Sequence, residues 1–296
     1  MSYLNKGNKE KLNFSDVFDN ENEKSYNIAE IGINHNGDIR LAKELILASS
    51  QIGFDCVKFQ KRVPELCVPE NKRDNLRTTP WGEMTYFDYK KRIEFSKSDY
   101  DEIDNYCKKL KIEWTASAWD IDSVDFITNY NIPFLKVPSD KCSDENFIKY
   151  LKKVKIPLVI STGGTDLNKI SDILKILSDS KIALMQCTSI YPCPSDKINL
   201  KVIKELKKKF KVPVGFSSHH TSPLITAMSV AYGANFTEVH VTLDRAMWGT
   251  DQAMSLEARG MQIMIDAIKD FEIALGDGDK KVYDFESKTL SRTKGR

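Results

Sequence analysis

Two lysines stand where strand-like apolar sequence would bury them. Lys58 and Lys136 each lie between two apolar residues. Burying an ammonium group without a partner is costly, so two such lysines directed into one cavity imply an anionic ligand. Phosphate and carboxylate are the groups that lysine binds. The alternative is that the two side chains are unrelated and carry their charges to water at strand ends.

The sequence contains four histidines, and two of them favour a metal site. His219 and His240 fall at corresponding ends of neighbouring predicted strands, about 4.8 Å apart, so both imidazoles can reach one divalent cation. Two protein ligands leave open positions, as a catalytic metal requires. A hydrogen-bonded core position is the alternative for either. His35 is interpreted as shaping its loop, and His220 as a supporting or structural residue that points away from His219.

Other polar residues gather at the ends of the same apolar runs. The sequence Ser-Thr-Gly-Gly from Ser161 to Gly164 offers hydroxyls and backbone N–H groups near a helix start, which favours phosphate, although a Gly-Gly turn alone is weak evidence. The remaining polar candidates on or just after these runs are Glu30, Gln60, Ser117, Ser139, Ser189, Tyr191, Ser217, Glu238 and Asp251.

Eight apolar runs alternate with amphipathic segments along the chain. The runs cover 27–33, 54–60, 112–118, 133–139, 157–163, 182–188, 213–219 and 235–242. Nearly continuous hydrophobicity is typical of parallel strands covered by helices. Eight βα units predict a (β/α)₈ TIM barrel of the α/β class, whose active site lies at the C-terminal ends of the strands. A doubly wound open sheet is the main competitor, and the lack of GxGxxG after the first run weakens it.

The predicted barrel occupies 26–283, between a polar N-terminal tail (1–25) and a polar C-terminal tail (284–296). Several predicted helices open with Asp or Ser, which are good N-cap residues. The segment 61–97 is too long for an ordinary βα loop and contains Trp81, Tyr86, Phe87 and Tyr89 among charges. Because long loops in compact domains are usually functional, we expect it to pass over one mouth of the barrel.

Composition excludes several functional classes. The 296 residues carry 44 Lys plus Arg against 42 Asp plus Glu, a net charge of +2, which argues against a nucleic-acid partner. We expect no membrane partner, because there is no apolar run of roughly 18 residues. No signal peptide is visible. Six scattered cysteines without a CxxC pair favour reduced thiols and a cytoplasmic location.

Matching sequence blocks run in order from about residue 26 to 283 and resemble the N-acetylneuraminate (sialic acid) synthase family. The blocks are AEIGINHNG (29–37), VKFQ (57–60), KVPS (136–139), ISTG (160–163), CTSIYP (187–192), GFSSH (215–219) and EVH (238–240). The resemblance implies a TIM barrel that condenses phosphoenolpyruvate with an aldose, releasing phosphate and forming a nonulosonic (sialic-type) acid. A divalent cation, Mn²⁺ or Mg²⁺, is expected with it.

The resemblance also implies a role for each matching residue. Glu30, Lys58, His219 and His240 would be catalytic, and the two histidines would hold the metal. Glu30 aligns with a carboxylate near phosphoenolpyruvate C2, where it can stabilise an oxocarbenium-like centre or manage a proton. The positions expected to bind phosphoenolpyruvate are Lys58, Ser117, Lys136, Ser139, Ser161, Ser189 and Ser217. Those expected to bind the sugar are Gln60, Tyr191 and Asp251.

Some positions depart from the family pattern. Ser117 replaces a common Thr, Ser189 a common Asn, and Lys141 a carboxylate that contacts the sugar in relatives. A C-terminal antifreeze-like domain, which places an Arg on the partner's sugar in a family dimer, is not expected within this sequence. A homodimer remains the first expectation, with a separate antifreeze-like chain or the 61–97 segment completing the site. Arg245 and Trp248 are candidates to cover it, with plain loop packing as the alternative.

Two other functions remain open at the level of sequence. The same chemistry can use a different acceptor: a di-amino-dideoxy sugar, a phosphorylated sugar or a plain aldose. A non-catalytic sugar- or phosphate-binding relative is the alternative of another class. Intact metal and phosphoenolpyruvate positions argue against a mere binder, which has no use for Glu30 beside two histidines.

Overall fold

Eight parallel strands close into a barrel in the computed structural model of the protein, which describes residues 12–19 and 24–286. The strands are β1 (Tyr26–Gly32), β2 (Cys56–Lys61), β3 (Glu113–Ala118), β4 (Leu135–Val137), β5 (Leu158–Ser161), β6 (Ile182–Gln186), β7 (Val214–Ser218) and β8 (Phe236–His240). Each pairs with the next in the chain and β8 pairs with β1. The predicted TIM barrel is confirmed, and all eight predicted strands are present with boundaries shifted by a few residues.

Helices surround the barrel and cover the outer faces of its strands. They are α1 (Ile39–Ile52), α2 (Lys97–Leu110), α3 (Ile121–Ile127), α4 (Glu145–Tyr150), α5 (Leu167–Ile176), α6 (Val202–Phe210), α7 (Pro223–Ala231) and α8 (Ala258–Leu275). Side chains cap many of them as the sequence predicts: Asp120 accepts from the Ser123 N–H, and Asp166 accepts from the Lys169 N–H. Gly53 ends α1 at a φ of 105°, a left-handed conformation that favours glycine.

Strand register brings the polar residues of the sequence together at one end of the barrel. Glu30 on β1 is level with Lys58 on β2 and with His240 on β8. Ser117 on β3 is level with Lys136 on β4. Since parallel strands all run in the same direction, these residues share the C-terminal end, where TIM-barrel active sites lie.

The segment between β2 and α2 covers this end, as predicted from its length. It forms two short helices (Pro64–Cys67 and Glu70–Arg73), a hairpin (Leu76–Thr79 with Gly82–Thr85) and a longer helix, Tyr86–Ile93, which we call the cover helix. Tyr89 and Ile93 of the cover helix are buried together with Ile33, the residue that follows β1. The segment therefore adds a second layer above the strand ends.

The opposite end of the barrel corrects part of the sequence prediction. Residues 14–18 form a short 3₁₀ helix instead of a polar tail, and Phe14 is buried. Its ring lies 4.1 Å from the ring of Phe134 and 5.3 Å from that of Tyr26, measured between centroids. A barrel interior needs apolar closure at its N-terminal end, and an isolated Phe in polar sequence does not reveal this. Most of the predicted tails, 1–11, 20–23 and 287–296, lie outside the described residues.

No helix within residues 12–19 and 24–286 is long and apolar enough to cross a membrane.

Replacing Phe14 by Ala removes the ring that closes the barrel and leaves a cavity. We expect the free energy of unfolding in urea to fall by about 3–5 kcal/mol. Ser15→Ala changes an exposed neighbour and serves as control, with an expected effect within about 0.5 kcal/mol. Equal stability of the two variants would show that the 3₁₀ helix does not close the barrel.

Candidate active site

A cavity of about 780 Å³ opens at the C-terminal end of the barrel. All the residues predicted to bind or react line it: Glu30, Lys58, Gln60, Ser117, Lys136, Ser139, Ser161, Ser189, Tyr191, Ser217, His219, His240 and Asp251. Its volume is typical of small-molecule sites. The structure thus brings the predicted residues into one place, while their individual roles remain predictions.

Two buried lysine–glutamate pairs form the floor of the cavity. Lys58 Nζ lies 2.6 Å from Glu30 Oε2, and Lys136 Nζ lies 2.8 Å from Glu238 Oε2. The pairs are linked, because Lys58 Nζ is also 3.8 Å from the same Glu238 oxygen. All four side chains are almost completely buried. Partnered charges in such a place avoid the cost of an isolated buried ion.

Glu238 is the functional residue that the sequence analysis left without a role. Its second carboxylate oxygen accepts a hydrogen bond of 3.0 Å from Ser217 Oγ, so it connects three of the residues predicted to bind phosphoenolpyruvate. The signal was present in the sequence: a carboxylate inside an apolar strand, two residues before His240, implies a buried cationic partner.

The two glutamates differ in their tendency to ionise. Burial raises the pKa of Glu30 to about 7, although Lys58 opposes the shift. Burial also acts to raise the pKa of Glu238, but the ammonium groups of Lys136 and Lys58 outweigh it and lower that pKa to about 2. Glu238 is therefore a fixed counter-charge, whereas Glu30 can gain or lose a proton near neutral pH.

A ring of hydroxyls lies beside the lysines on β3, β5, β7 and the loops after β4 and β6. Ser117 Oγ accepts a hydrogen bond of 2.9 Å from Lys58 Nζ. A Cβ atom at Gly163 would lie only 2.4 Å from Ser189 Oγ and 2.8 Å from Ser139 Oγ, so glycine is needed for these hydroxyls to approach the β5 end. Hydroxyls and accessible backbone beside two ammonium groups suit a phosphorylated anion.

His219 and His240 face each other across the cavity wall. Their ring centroids are 5.6 Å apart. His219 Nδ1 donates to the carbonyl oxygen of Thr188 at 2.8 Å, which leaves Nε2 as a free electron-pair donor. His240 Nδ1 is buried without a hydrogen-bond partner, and Asp251 Oδ2 lies 3.7 Å from it.

Burial keeps both imidazoles neutral and ready to bind a metal. It lowers the pKa of His219 to about 4, and it lowers the pKa of His240 as well. No cluster of three or more His, Cys, Asp or Glu ligands occurs in the part of the chain that the structure describes. The residues fit a divalent cation held by two histidines, with other positions left to water or substrate.

The other two histidines have structural contacts, in agreement with the sequence interpretation. His35 Nδ1 accepts from the Gly37 N–H at 3.0 Å, and its ring stacks on Phe95. Burial lowers the pKa of His35 to about 3. His220 Nδ1 accepts from the Ser222 N–H at 2.9 Å, away from the cavity.

Two of the predicted sugar-binding residues, Tyr191 and Gln60, differ in whether their side chains are free to contact a ligand. Tyr191 is half-exposed and packs on His219, with centroids 4.0 Å apart. Gln60, in contrast, donates to Glu30 Oε1 at 3.0 Å and accepts a hydrogen bond from Arg62. The Gln60 amide is thus occupied in holding Glu30, and Arg62 holds Gln60.

Two residues proposed to cover the site do not line it, so loop packing, the alternative, applies to both. The Arg245 Nε donates to the carbonyl oxygen of Ala253 at 2.8 Å. The Trp248 ring packs edge-on against Tyr89 of the cover helix, with centroids 5.2 Å apart.

Lys141 pairs with Asp144 outside the cavity, and Asp140 lines the wall instead. Arg62, Cys67 and Lys90, which sequence reasoning missed, also line it from the covering segment.

Comparison with known proteins places this geometry in a family. The sequence profile of the NeuB family matches residues 45–280. The chain belongs to the NeuB family. Among NeuB relatives, the N,N'-diacetyllegionaminic acid synthase of Legionella pneumophila is 34% identical over 269 residues, which cover 88% of this chain and 75% of the relative. The N-acetylneuraminate-9-phosphate synthase of Mus musculus is 35% identical over 264 residues, or 88% and 73%.

A solved NeuB-like structure agrees with the barrel. It is the N-acetylneuraminic acid (sialic acid) synthetase of Leptospira borgpetersenii in complex with citrate, with a TM-score of 0.80, 25% identity and 91% of each chain covered. The family resemblance seen in the sequence is confirmed.

The linked ion pairs generate a stability prediction. Glu238→Gln leaves Lys136 buried without a counter-charge, and we expect the free energy of unfolding to fall by about 3–5 kcal/mol. Adding Lys136→Met should recover at least half of that loss, because both buried charges are then gone. Glu145→Gln breaks an exposed pair with Lys149 and serves as control, with an expected loss below about 1 kcal/mol. Urea denaturation measures all three. No recovery in the double variant would refute the pairing.

Proposed function

We propose that this NeuB-family protein condenses phosphoenolpyruvate with an open-chain N-acetylhexosamine-type sugar to form a nonulosonic acid and phosphate. The observation that carries the proposal is the shared cavity: two buried lysines with a ring of hydroxyls on one side, and two neutral histidines on the other. The names of the Legionella and mouse relatives as synthases of such acids support it.

Phosphoenolpyruvate would occupy the lysine side of the cavity. Its carboxylate and phosphate would bind Lys58, Lys136 and the hydroxyls of Ser117, Ser139, Ser161, Ser189 and Ser217. Because Glu30 and Glu238 already balance the lysines, the hydroxyls must supply much of the binding of this anion.

The histidines would hold Mn²⁺ or Mg²⁺ on the other side. When bound, the cation acts as a Lewis acid on the aldehyde oxygen of the acceptor. Tyr191 and Asp251, next to the histidines, would orient the sugar so that its aldehyde carbon faces C3 of phosphoenolpyruvate.

Glu30 would act at C2 of phosphoenolpyruvate. As the bond between C3 and the aldehyde carbon forms, the electron pair of the aldehyde C=O moves onto its oxygen and positive charge develops at C2, where an ionised Glu30 stabilises it. Water then adds to C2 and gives up a proton, which a carboxylate with a pKa of about 7 can accept. The bond between C2 and the bridging phosphate oxygen then breaks and phosphate leaves. The proton held by Glu30 passes to the oxygen that came from the aldehyde, and the C2 hydroxyl loses its proton to the departing phosphate, which yields the 2-keto acid and hydrogen phosphate. Lys58 and Gln60 hold Glu30 in position through this sequence.

We also propose a cytoplasmic location. All six cysteines are unpaired, and five of them are buried, which is consistent with a reducing compartment.

Phosphate release tests the reaction. The protein is incubated with phosphoenolpyruvate, Mn²⁺ and a panel of N-acetylated amino sugars, di-amino-dideoxy sugars, sugar phosphates and plain aldoses. We expect phosphate to appear only with an acceptor present, at least about tenfold above the acceptor-free rate. The absence of acceptor-dependent release throughout the panel, with partner proteins added, would refute the enzymatic function.

The histidine pair predicts metal affinity directly. His219→Ala and His240→Ala should each weaken Mn²⁺ binding by at least about tenfold, measured by electron paramagnetic resonance of free Mn²⁺. His220→Ala is the matched control, since its ring bonds outside the cavity, and it should bind Mn²⁺ as the wild type does. Unchanged binding in either cavity variant would show that the pair is not a metal site.

The pKa of Glu30 predicts the pH profile. If ionised Glu30 is required, kcat/KM rises with pH through about 7. The Gln60 N–H favours the carboxylate form, so Gln60→Leu should move this limb to higher pH, beyond any loss in rate. A limb that stays in place would show that Glu30 is not the titrating group. Gln262→Leu, on the exposed side of α8, is the control and should leave the limb unchanged.

A further inference from the structure

Lys90 of the cover helix differs from the other cationic side chains that line the cavity. Each of the others has a carboxylate partner: Lys58 with Glu30, Lys136 with Glu238, and Arg62 with Glu94 at 3.0 Å. Among the described residues, no carboxylate lies within ion-pair distance of Lys90 Nζ and no hydrogen bond is formed by it. Lys90 is nevertheless only 9% exposed.

Two aromatic rings replace a counter-ion in part. Lys90 Nζ lies 5.4 Å from the ring centroids of both Tyr86 and Tyr89. Such contacts contribute less than a buried ion pair. Burial, reinforced by the guanidinium of Arg62, lowers the pKa of Lys90 to about 8, and the more distant Asp251 and Glu94 do not compensate. The positive charge of the Lys90 ammonium group is therefore only partly balanced, and an anion beside this group would stabilise its charged form.

The position of Lys90 identifies which substrate would bring that anion. The groups proposed to react lie at the strand ends, whereas Lys90 lies in the covering layer above them. Phosphoenolpyruvate has its own lysines and hydroxyls on the floor. Tyr191 and Asp251 lie beside the histidines and line the same cavity as Lys90. A sugar whose aldehyde faces the histidines would extend past them toward the cover helix, where its far end would meet Lys90.

We propose that Lys90 binds an anionic group, a phosphate or a carboxylate, carried by the acceptor sugar at the end remote from its aldehyde. This inference rests on the proposed function, because it assigns the acceptor of that reaction. Lys90 is then a specificity-determining residue: it selects a charged sugar over its neutral counterpart, while the chemistry at the strand ends stays the same.

Calorimetric titration tests the assignment without requiring turnover. Three probes share one sugar ring: N-acetylmannosamine, its 6-phosphate and the corresponding uronic acid. We expect the wild type to bind at least one charged probe about tenfold or more tightly than the neutral sugar, the size of one charge-assisted hydrogen bond. The phosphate and uronate arms show which anion is used. Lys90→Gln should reduce the preference to about twofold or less and leave neutral-sugar binding unchanged, whereas Lys90→Arg should keep it.

Lys91→Gln is the matched control. Lys91 is the next residue on the cover helix, is exposed, and pairs with Glu65 at 3.4 Å, so its loss should leave the preference intact. Equal or tighter binding of the neutral sugar by the wild type would overturn the proposal. So would an equal loss for all probes in Lys90→Gln, because that is the result of a packing role.

The outcomes separate this proposal from the proposed function. Preferential binding of a charged sugar with no phosphate release from phosphoenolpyruvate would refute the reaction and leave the Lys90 subsite standing. Phosphate release with a neutral sugar, at a kcat/KM no lower than with the charged ones, would support the reaction and refute the subsite.

Discussion

The charge balance of two buried lysines is the constraint on which the site depends. Lys58 and Lys136 can stay charged inside the barrel only because Glu30 and Glu238 lie within ion-pair distance. The barrel geometry makes this possible, since residues of neighbouring strands stand level at one end. A cavity already balanced in charge can admit a trianionic substrate through hydroxyl contacts, and it leaves one carboxylate able to take up a proton.

That carboxylate, Glu30, differs from Glu238 in its surroundings, although both residues are glutamates. Glu238 faces two ammonium groups and stays ionised, whereas burial raises the pKa of Glu30 to about 7 because one ammonium group and one amide do not offset it. The covering segment also acts on Glu30, because Arg62 donates to the Gln60 amide oxygen while the Gln60 N–H donates to Glu30 and favours its carboxylate form. The covering segment thus contributes, through Arg62, to the chemistry proposed at C2. Through Lys90, it contributes to the proposed recognition of the acceptor sugar.

The barrel could be predicted from the sequence because buried parallel strands appear as nearly continuous apolar runs. The register of the strands then follows from closure of the barrel. It found the site residues that lie on strands, such as Lys136 and His240. It missed Arg62 and Lys90, because a residue in an irregular segment reaches the cavity only through tertiary packing. Phe14 was missed for the same reason. The sequence also does not show which of several possible hydrogen-bond partners a side chain contacts. Gln60 was predicted to bind the sugar, but its amide donates to Glu30.

Proton uptake on phosphoenolpyruvate binding tests the central claim most directly. Calorimetric titrations at about pH 7.5, without metal and in buffers of different ionisation enthalpy, count the protons exchanged. An anion placed beside Glu30 raises its pKa, so the account predicts net uptake by the wild type and much less by Glu30→Gln. Binding without net uptake, or the same uptake in both proteins, would contradict it.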